Sequence, residues 1–402
     1  MFERDILTPT DVLRAAATHT KIRVGGRVMS RNDADVILSD SFCRLNAQLS
    51  HAQSIEPGFL VVLDGTWDGT CLRGAALVWS QSGAEPDAES EWARLALAGV
   101  GPRLEQRAEA RKVARRFFEE RSFIEVETPT RLRAPGLDAH IEPIAAADGW
   151  LVTSPELHLK RLIVGGMPRV FEFAHCHRAD ELGMYHEPEF TLLEWYRAFE
   201  PVQAVMRDTE ELVRDVIVAL SNHSHLKHRE FTVRVDQPFA RLSVADAFRL
   251  HANESDGLAM AERDPDAWFH LWVDKVEPAL ARYDVPVFVT DYPASQAALA
   301  RRKPSDPRVA ERFELYCAGV ELCNGYGELT DPDEQLARFE SELAERKLRG
   351  LPVVPLDTRF IDALREGMPP CSGNALGFDR LLMLATGAES IAQVKAFPWS
   401  RN

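Results

Sequence analysis

Two strand-like runs, Arg169 to Arg178 and Glu189 to Tyr196, constrain this chain more than any other feature, because side chains on a strand alternate between two faces. In the first run Val170, Glu172, Ala174, Cys176 and Arg178 share one face, and Phe171, Phe173, His175 and His177 share the other. In the second, Phe190, Leu192, Glu194 and Tyr196 lie together, after a polar loop from Ala179 to His186. An aromatic ring, a carboxylate and a phenol following an arginine suit a site for a nucleotide and an ammonium group, through stacking, ion pairing and hydrogen bonding. An amphipathic hairpin with a solvated charged face reads the same way. Alternation also sets Cys176 opposite His175 and His177, which argues against a metal site there.

A second hairpin runs from Arg312 to Asn324, with Ala318-Gly319 as its two-residue turn. In that register Glu314 faces Cys323, and Glu321 lies one diagonal step away on the same side. Two such carboxylates can share a hard cation such as Mg²⁺. The following Asn324-Gly-Tyr-Gly-Glu328 adds an amide and a third carboxylate; surface charge on an edge hairpin is the alternative. Near the end stands Gly373-Asn-Ala-Leu-Gly377-Phe-Asp-Arg380, followed by an apolar helix. Glycines there permit close backbone approach, and an arginine at a helix start can meet a terminal phosphate.

The rest of the chain sets these blocks in order. Short β-prone runs from Lys21 to Trp79 predict a small all-β barrel or sandwich, and the polar stretch from Ser80 to Ser90 predicts a linker. The expected division is a barrel over 1–85, a linker over 86–100 and a larger α+β domain over 101–402. A helix beginning near Arg103 carries Ala110, Val113, Ala114, Phe117 and Phe118 on one face; Ile124 to Glu127 then reads as a strand that Pro129 ends. A net charge of -15 opposes binding of nucleic acid over the whole surface. Six scattered cysteines form no CxxC pair, and no apolar run reaches membrane length, so the expectation is a cytoplasmic protein with reduced thiols and no membrane partner.

Together, the helix-strand-Pro unit at Arg107 to Pro129, the Arg-loop-His-x-Pro-Glu-Phe block at Arg178 to Phe190 and the Gly-rich turn with Arg380 resemble motifs 1, 2 and 3 of class II aminoacyl-tRNA synthetases. The implied fold is α+β: an antiparallel sheet flanked by helices, preceded here by an OB-like barrel. Ser154-Pro-Glu-Leu-His-Leu-Lys-Arg161, Tyr185 to Tyr196, Glu321 to Asp331 and Gly387-Ala-Glu-Ser-Ile-Ala resemble the lysyl subgroup. Within it, Pro293-Ala-Ser-Gln-Ala-Ala-Leu-Ala, Met368-Pro-Pro-Cys-Ser-Gly and Ala375 are similar to the elongation factor P lysine ligases, truncated lysyl-tRNA synthetase paralogues.

The resemblance implies ATP and Mg²⁺ as cofactors, a lysine-like amino acid as substrate, a homodimer formed through motif 1, and transfer to elongation factor P. Less favoured alternatives are tRNA or a small-molecule or carrier-protein acceptor, and a non-catalytic amino-acid-binding paralogue. It further implies that Arg178 and Arg380 are the catalytic residues, gripping the α- and γ-phosphates. The ATP site would also include Asp180, His186, Glu187, Phe190, Glu321, Leu322 and Gly377, with Glu314 and Glu321 holding Mg²⁺. Ser154, Pro155, Glu156, Glu194, Tyr196, Asn324, Glu328 and Ala375 would take the amino acid.

The chain departs from the family at Ala179 and Asp180, at Met184 where the family has a basic residue, and at Glu187 where it has an asparagine. The last two make the surroundings of ATP less positive, unless His175 or His177 compensates as imidazolium. The barrel is a further departure: acidic side chains outnumber basic ones over residues 1–100 and few aromatics are available for base stacking, so it is expected to contact a protein or cover the core.

Overall fold

A computed structural model of the chain describes residues 5–402 apart from 52, 53, 85, 86, 88, 138–140 and 298. Residues 86 and 88 of the expected linker, and Ala298 of the Pro293 segment, therefore lie outside the described residues. The chain forms two compact units, Met1–Glu105 and Gln106–Asn402.

The first unit holds helix α1 (Pro9–Ala15) and strands β1 (Thr20–Asn32), β2 (Asp35–Ser39), β3 (Arg44–Leu49), β4 (Leu60–Trp67) and β5 (Cys71–Gln81). They close into a barrel in the order β1-β2-β3-β5-β4, with β4 back on β1, the circuit of an OB-fold. Its interior is aliphatic, with Val24, Val28, Leu38, Leu45, Leu63 and Leu72 all buried. Strand β3 escapes the sequence reading because its outward positions are Arg44, Asn46 and Gln48, residues with little β preference. Helix α2 (Val100–Glu119) follows, and the division between the two units falls inside it, after Glu105.

In the second unit a nine-stranded sheet is built from β6 (Ile124–Glu125), β10 (Arg169–His177), β11 (Glu189–Ala198), β14 (Ala240–Ser243), β15 (Val287–Pro293), β16 (Arg302–Lys303), β17 (Asp306–Cys317), β18 (Val320–Gly327) and β19 (Cys371–Gly377). Its order is β14-β15-β17-β18-β19-β11-β10-β6, with β16 beside β17; the interior is antiparallel, and only the edge pairs β6/β10 and β14/β15 are parallel. Strands β7 (Arg131–Leu132), β8 (Ala145–Ala146) and β9 (Gly149–Leu151) form a small separate sheet, and β12 (His225–His228) with β13 (Phe231–Arg234) a separate hairpin.

Both faces of the large sheet are used, for different purposes. On one face α2, α4 (Val202–Ser221) and α11 (Phe378–Thr386) pack a continuous apolar core, in which the whole predicted stripe of α2 is at most 4% exposed. Phe118 stacks on Phe171 of β10 with ring centroids 4.5 Å apart. At one end of the opposite face α3 (Glu156–Val164), α9 (Pro332–Leu348) and α10 (Thr358–Gly367) cover Val170 and Tyr196. Short helices α5 to α8 (Val244–Ala247, Gly257–Arg263, Pro265–Leu271 and Glu277–Leu280) make a satellite cluster around Trp268 and Trp272 near β15. Among the described residues no helix is long and apolar enough to cross a membrane.

Candidate active site

Strand register lays out the site. One cross-strand row runs Glu172, Glu194, Ala375, Asn324, Glu314 through β10, β11, β19, β18 and β17, so these side chains share one face. The next row reads Val170, Tyr196, Gly373, Tyr326, Arg312. In the other direction come Ala174, Leu192 and Gly377, and then Cys176 and Phe190.

The second hairpin corrects the expected register. Ala318 and Gly319 make the turn, both with positive φ (52° and 78°), as a two-residue hairpin that follows the twist of its strands requires. Glu314, however, pairs with Asn324 and not with Cys323, because an irregularity between Leu315 and Tyr316 leaves Leu322 as an extra residue on β18. Leu322 and Cys323 both enter the apolar core. That bulge lets Glu321, opposite Tyr316, and Asn324, opposite Glu314, face the same side; a regular strand would turn one of them away. The Leu322 side chain thus lies in the core.

One end of the site is acidic and dry. Ser154 Oγ donates to Glu194 Oε1 at 2.6 Å and accepts from the Glu156 amide at 3.2 Å, which fixes the start of α3 after Pro155. Glu194 is fully buried, and burial, with help from Glu156, pushes its carboxyl up to about 8. Glu328, also fully buried, is pushed up to about 8 by burial against the opposing pull of Lys160. Lys160, a residue the sequence reading passed over, places its Nζ 2.6 Å from Glu156 Oε1 and 2.5 Å from Glu328 Oε2 at zero exposure. Burial alone would neutralise it; the two carboxylates outweigh that and raise its pKa. Among the described residues Glu328 Oε1 has no hydrogen-bond donor. Gly373 is obligatory beside it, since a Cβ there would come 2.2 Å from the Tyr196 ring. Tyr196 is 3% exposed, its hydroxyl 3.4 Å from Glu194 Oε2.

The other end is cationic. The Arg178 guanidinium sits 5.0 Å from the Phe190 ring centroid, and among the described residues it has only a loose 3.7 Å contact with Glu181 and keeps a buried Nε with no acceptor. An orphaned donor of that kind marks a place for an anion. Arg380 donates to the Glu321 carbonyl at 2.9 Å, the Tyr185 carbonyl at 3.2 Å and His186 Nε2 at 2.7 Å. Surrounding protein and then Arg380 lower the pKa of His186, so this ring is neutral and accepts through Nε2. Gly377 leaves room for the Arg380 side chain, whose Cδ would lie 3.4 Å from an added Cβ. Arg380 is also held from behind: Asp379 accepts from Arg107 of α2 at 2.5 Å and from the Thr191 amide at 2.8 Å. Asp180 is exposed with φ +60° at the start of the loop.

Two departures at this end find a physical account. Burial lowers the pKa of His177, so it is not the compensating imidazolium, while His175 lies 3.7 Å from Glu189. The extra charge of Glu187 is answered elsewhere: its buried carboxylate accepts from Lys395 Nζ at 3.1 Å and from the Trp399 amide at 2.9 Å. The residue thus ties the loop to the C-terminal segment.

Between the two ends lies the carboxylate pair. Glu314 accepts from Tyr292 at 2.5 Å, Tyr316 at 2.7 Å and Arg312 at 2.5 Å, filling three of about four acceptor positions. Glu321 has Arg380 3.6 Å away, and desolvation followed by Glu314 raises its pKa against the pull of Arg380, Arg312 and Arg178. One free direction on Glu314 and an open Glu321 fit a divalent cation that completes its shell with phosphate oxygens. Among the described residues no group of three or more His, Cys, Asp or Glu could hold a metal without such help.

Residues 85–401 match the family of class II tRNA synthetases (D, K and N), which leaves the barrel strands outside the match. The elongation factor P–(R)-β-lysine ligase of Yersinia enterocolitica is 42% identical over 310 residues, 74% of this chain and 95% of that protein. The ligases of the same name from Yersinia pestis and Yersinia pseudotuberculosis are 41% identical over 307 residues, 73% of this chain and 94% of theirs. With the family matched over residues 85–401 and a relative 42% identical along nearly its whole length, the chain belongs to the class II (D, K and N) tRNA synthetase family and is a ligase.

Proposed function

We propose that this ligase activates lysine or (R)-β-lysine with ATP and transfers the aminoacyl group to a lysine of elongation factor P. The observation that carries the reading is the polarity of one sheet face, with the orphaned Arg178 donor at one end and three largely buried carboxylates at the other. Glu156, Glu194 and Glu328 against Lys160 leave two negative charges when all are ionised. A lysine isomer carries two ammonium groups and one carboxylate, so it fits with its amines among the acids and its carboxylate toward Arg178. Asn324 and Ala375 form the floor between them.

In the first step a substrate carboxylate oxygen bonds to the α-phosphorus as the bond to the bridging oxygen breaks, and pyrophosphate leaves. The nucleophile is already ionised, so the protein supplies placement and charge cancellation rather than a general base. Arg178 faces the reacting carboxylate and α-phosphate, Phe190 stacks on adenine, and Arg380 meets the outer phosphates. Mg²⁺ on Glu321 and Glu314 would add further neutralisation. In the second step an acceptor amine attacks the carbonyl carbon, AMP departs with the bonding pair, and the amine's proton is released. Six cysteines without a disulfide suit a reducing cytoplasm.

The test is pyrophosphate release with ATP, Mg²⁺ and a panel of amino acids, followed by mass spectrometry of elongation factor P and by acid-precipitable charging of tRNA. The expected result is release with a lysine isomer and one aminoacyl mass added to the protein. Charging of tRNA alone would support the second reading, which the OB strand order favours. Against it, the β1–β2 and β4–β5 connections, where OB-folds grip oligonucleotides, are reduced to residues 33–34 and 68–70.

Binding should also move protons. Burial holds Glu194 and Glu328 at about 8, and an ammonium ligand lowers both by favouring their charged forms. Binding below about pH 8 must therefore expel protons, and affinity for lysine should rise with pH up to about 8, by at most about tenfold per unit for each carboxyl. Calorimetry at pH 7 in two buffers of different ionisation enthalpy should show proton release; uptake would contradict this assignment.

A further inference from the structure

The loop between the two ATP-site strands, residues 179–188, carries Asp180, Glu181 and Glu187 and no lysine or arginine. Lys395 neutralises Glu187, which leaves Asp180 and Glu181 as the remaining charges carried by the loop. A triphosphate laid under this loop would meet Arg178 and Arg380 and otherwise an acidic rim.

A cation does reach the loop from another element. The β12–β13 hairpin packs against it: Tyr185 Oη lies 3.1 Å from His228 Nε2, and Arg229, at the hairpin turn with φ +52°, lies against the Met184 thioether. Its guanidinium carbon is 5.5 Å from the Tyr185 ring centroid. Other arginines beside the site are tied to carboxylates, Arg107 to Asp379, Arg312 to Glu314 and Arg301 to Glu311. Arg229 is exposed and makes no ion pair among the described residues, although its contacts place it beside the stretch whose next residues, Tyr185 and His186, hold Arg380. Guanidinium held by a thioether and an aromatic face, with its charge left unanswered, is available to an anion.

We propose that Arg229 is a phosphate-binding residue of this site, supplying from the β12–β13 hairpin the positive charge that the loop itself lacks and contacting the outer phosphates of ATP. This rests on the ATP-dependent reading above. Met184, whose thioether touches the guanidinium, marks the position from which a basic side chain on the loop itself would reach the same space.

The experiment compares the wild type, Arg229→Ala, Arg229→Lys and the double variant Arg229→Ala/Met184→Arg in pyrophosphate release, with KM for ATP and for the amino acid measured separately. Direct ATP binding by calorimetry is run on all four, so that Arg229 is read even without turnover. Arg229→Ala is expected to raise the KM and Kd for ATP about tenfold or more, the size of a lost charge-assisted contact, with the amino-acid KM and the Tm unchanged. Arg229→Lys should recover part of the loss, and Met184→Arg should return ATP affinity to within about threefold of wild type. Unchanged ATP affinity in Arg229→Ala, an equal change in both KM values, or failure of Met184→Arg to restore binding would overturn the proposal. A wild type that binds ATP but releases no pyrophosphate with any amino acid would instead overturn the ligase chemistry, and the binding series would still decide Arg229.

Discussion

Arg178→Ala is expected to lower amino-acid-dependent pyrophosphate release by about a thousandfold or more while leaving the protein as stable as the wild type. The size follows from the proposed role: a guanidinium facing both the attacking carboxylate and the α-phosphate would act on charge as it shifts in the transition state, and arginines so placed contribute about three orders of magnitude or more. The stability half follows from the contacts. Among the described residues Arg178 has no close ion pair, only Glu181 at 3.7 Å, and its buried Nε has no acceptor. Truncation therefore removes an unmet donor and a ring contact with Phe190 and breaks no closed network. A residue whose loss ruins activity at no expense in Tm is held in place for its ligand. Stopped-flow pyrophosphate detection and a thermal melt read the two halves; a drop of several degrees in Tm matching the loss of activity would make Arg178 a structural residue.

What the sequence makes legible here is what lies close along the chain. Alternation along β10 and β11 suffices to bring Phe190, Glu194 and Tyr196 to one face, and the register agrees. The Ala318-Gly319 turn is equally local. The bulge at Leu322 is not, because it follows from packing Leu322 and Cys323 together into a core built mainly by α2, α4 and α11. Pairings across long separations are silent as well. Lys395 finds Glu187 across 208 residues, Arg107 finds Asp379 across 272, and nothing local in either sequence distinguishes them from surface charges.

Lys160 shows the limit in another way. It stands four residues after Glu156 on α3, a spacing that on most helices means an exposed ion pair contributing a few tenths of a kcal/mol. Only the fold, by bringing Glu328 from the end of β18 and closing Tyr196 over Gly373, turns that pair into a buried triad. The same burial makes the triad a poor source of net stability and a good source of specificity. An acid pocket with its own resident ammonium stays assembled without substrate, and it presents the charge that remains to a second ammonium.

Lys160→Met is accordingly the substitution expected to destabilise most. Methionine keeps the length of the side chain and removes the charge, leaving Glu328, at zero exposure, with neither a partner for Oε2 nor a donor for Oε1. Breaking a buried pair by removing one partner costs about 3–5 kcal/mol. The pH dependence separates this from lost packing. Glu328 is near 8 even with Lys160 beside it, and the loss of that cation raises it further. A carboxyl raised in the folded state contributes its full share below its unfolded pKa and loses it progressively as pH rises to the folded value. In the wild type that loss is complete near pH 8; in Lys160→Met it continues above. The gap in Tm between the two should therefore widen between pH 7 and pH 9. Adding Glu328→Gln removes the group that titrates, so the double variant should recover part of the stability, and its gap to the wild type should no longer widen over the same range. A gap that is flat with pH in Lys160→Met itself would mean that the lysine is held for its packing, and that the acids of this pocket do not depend on it for their charge.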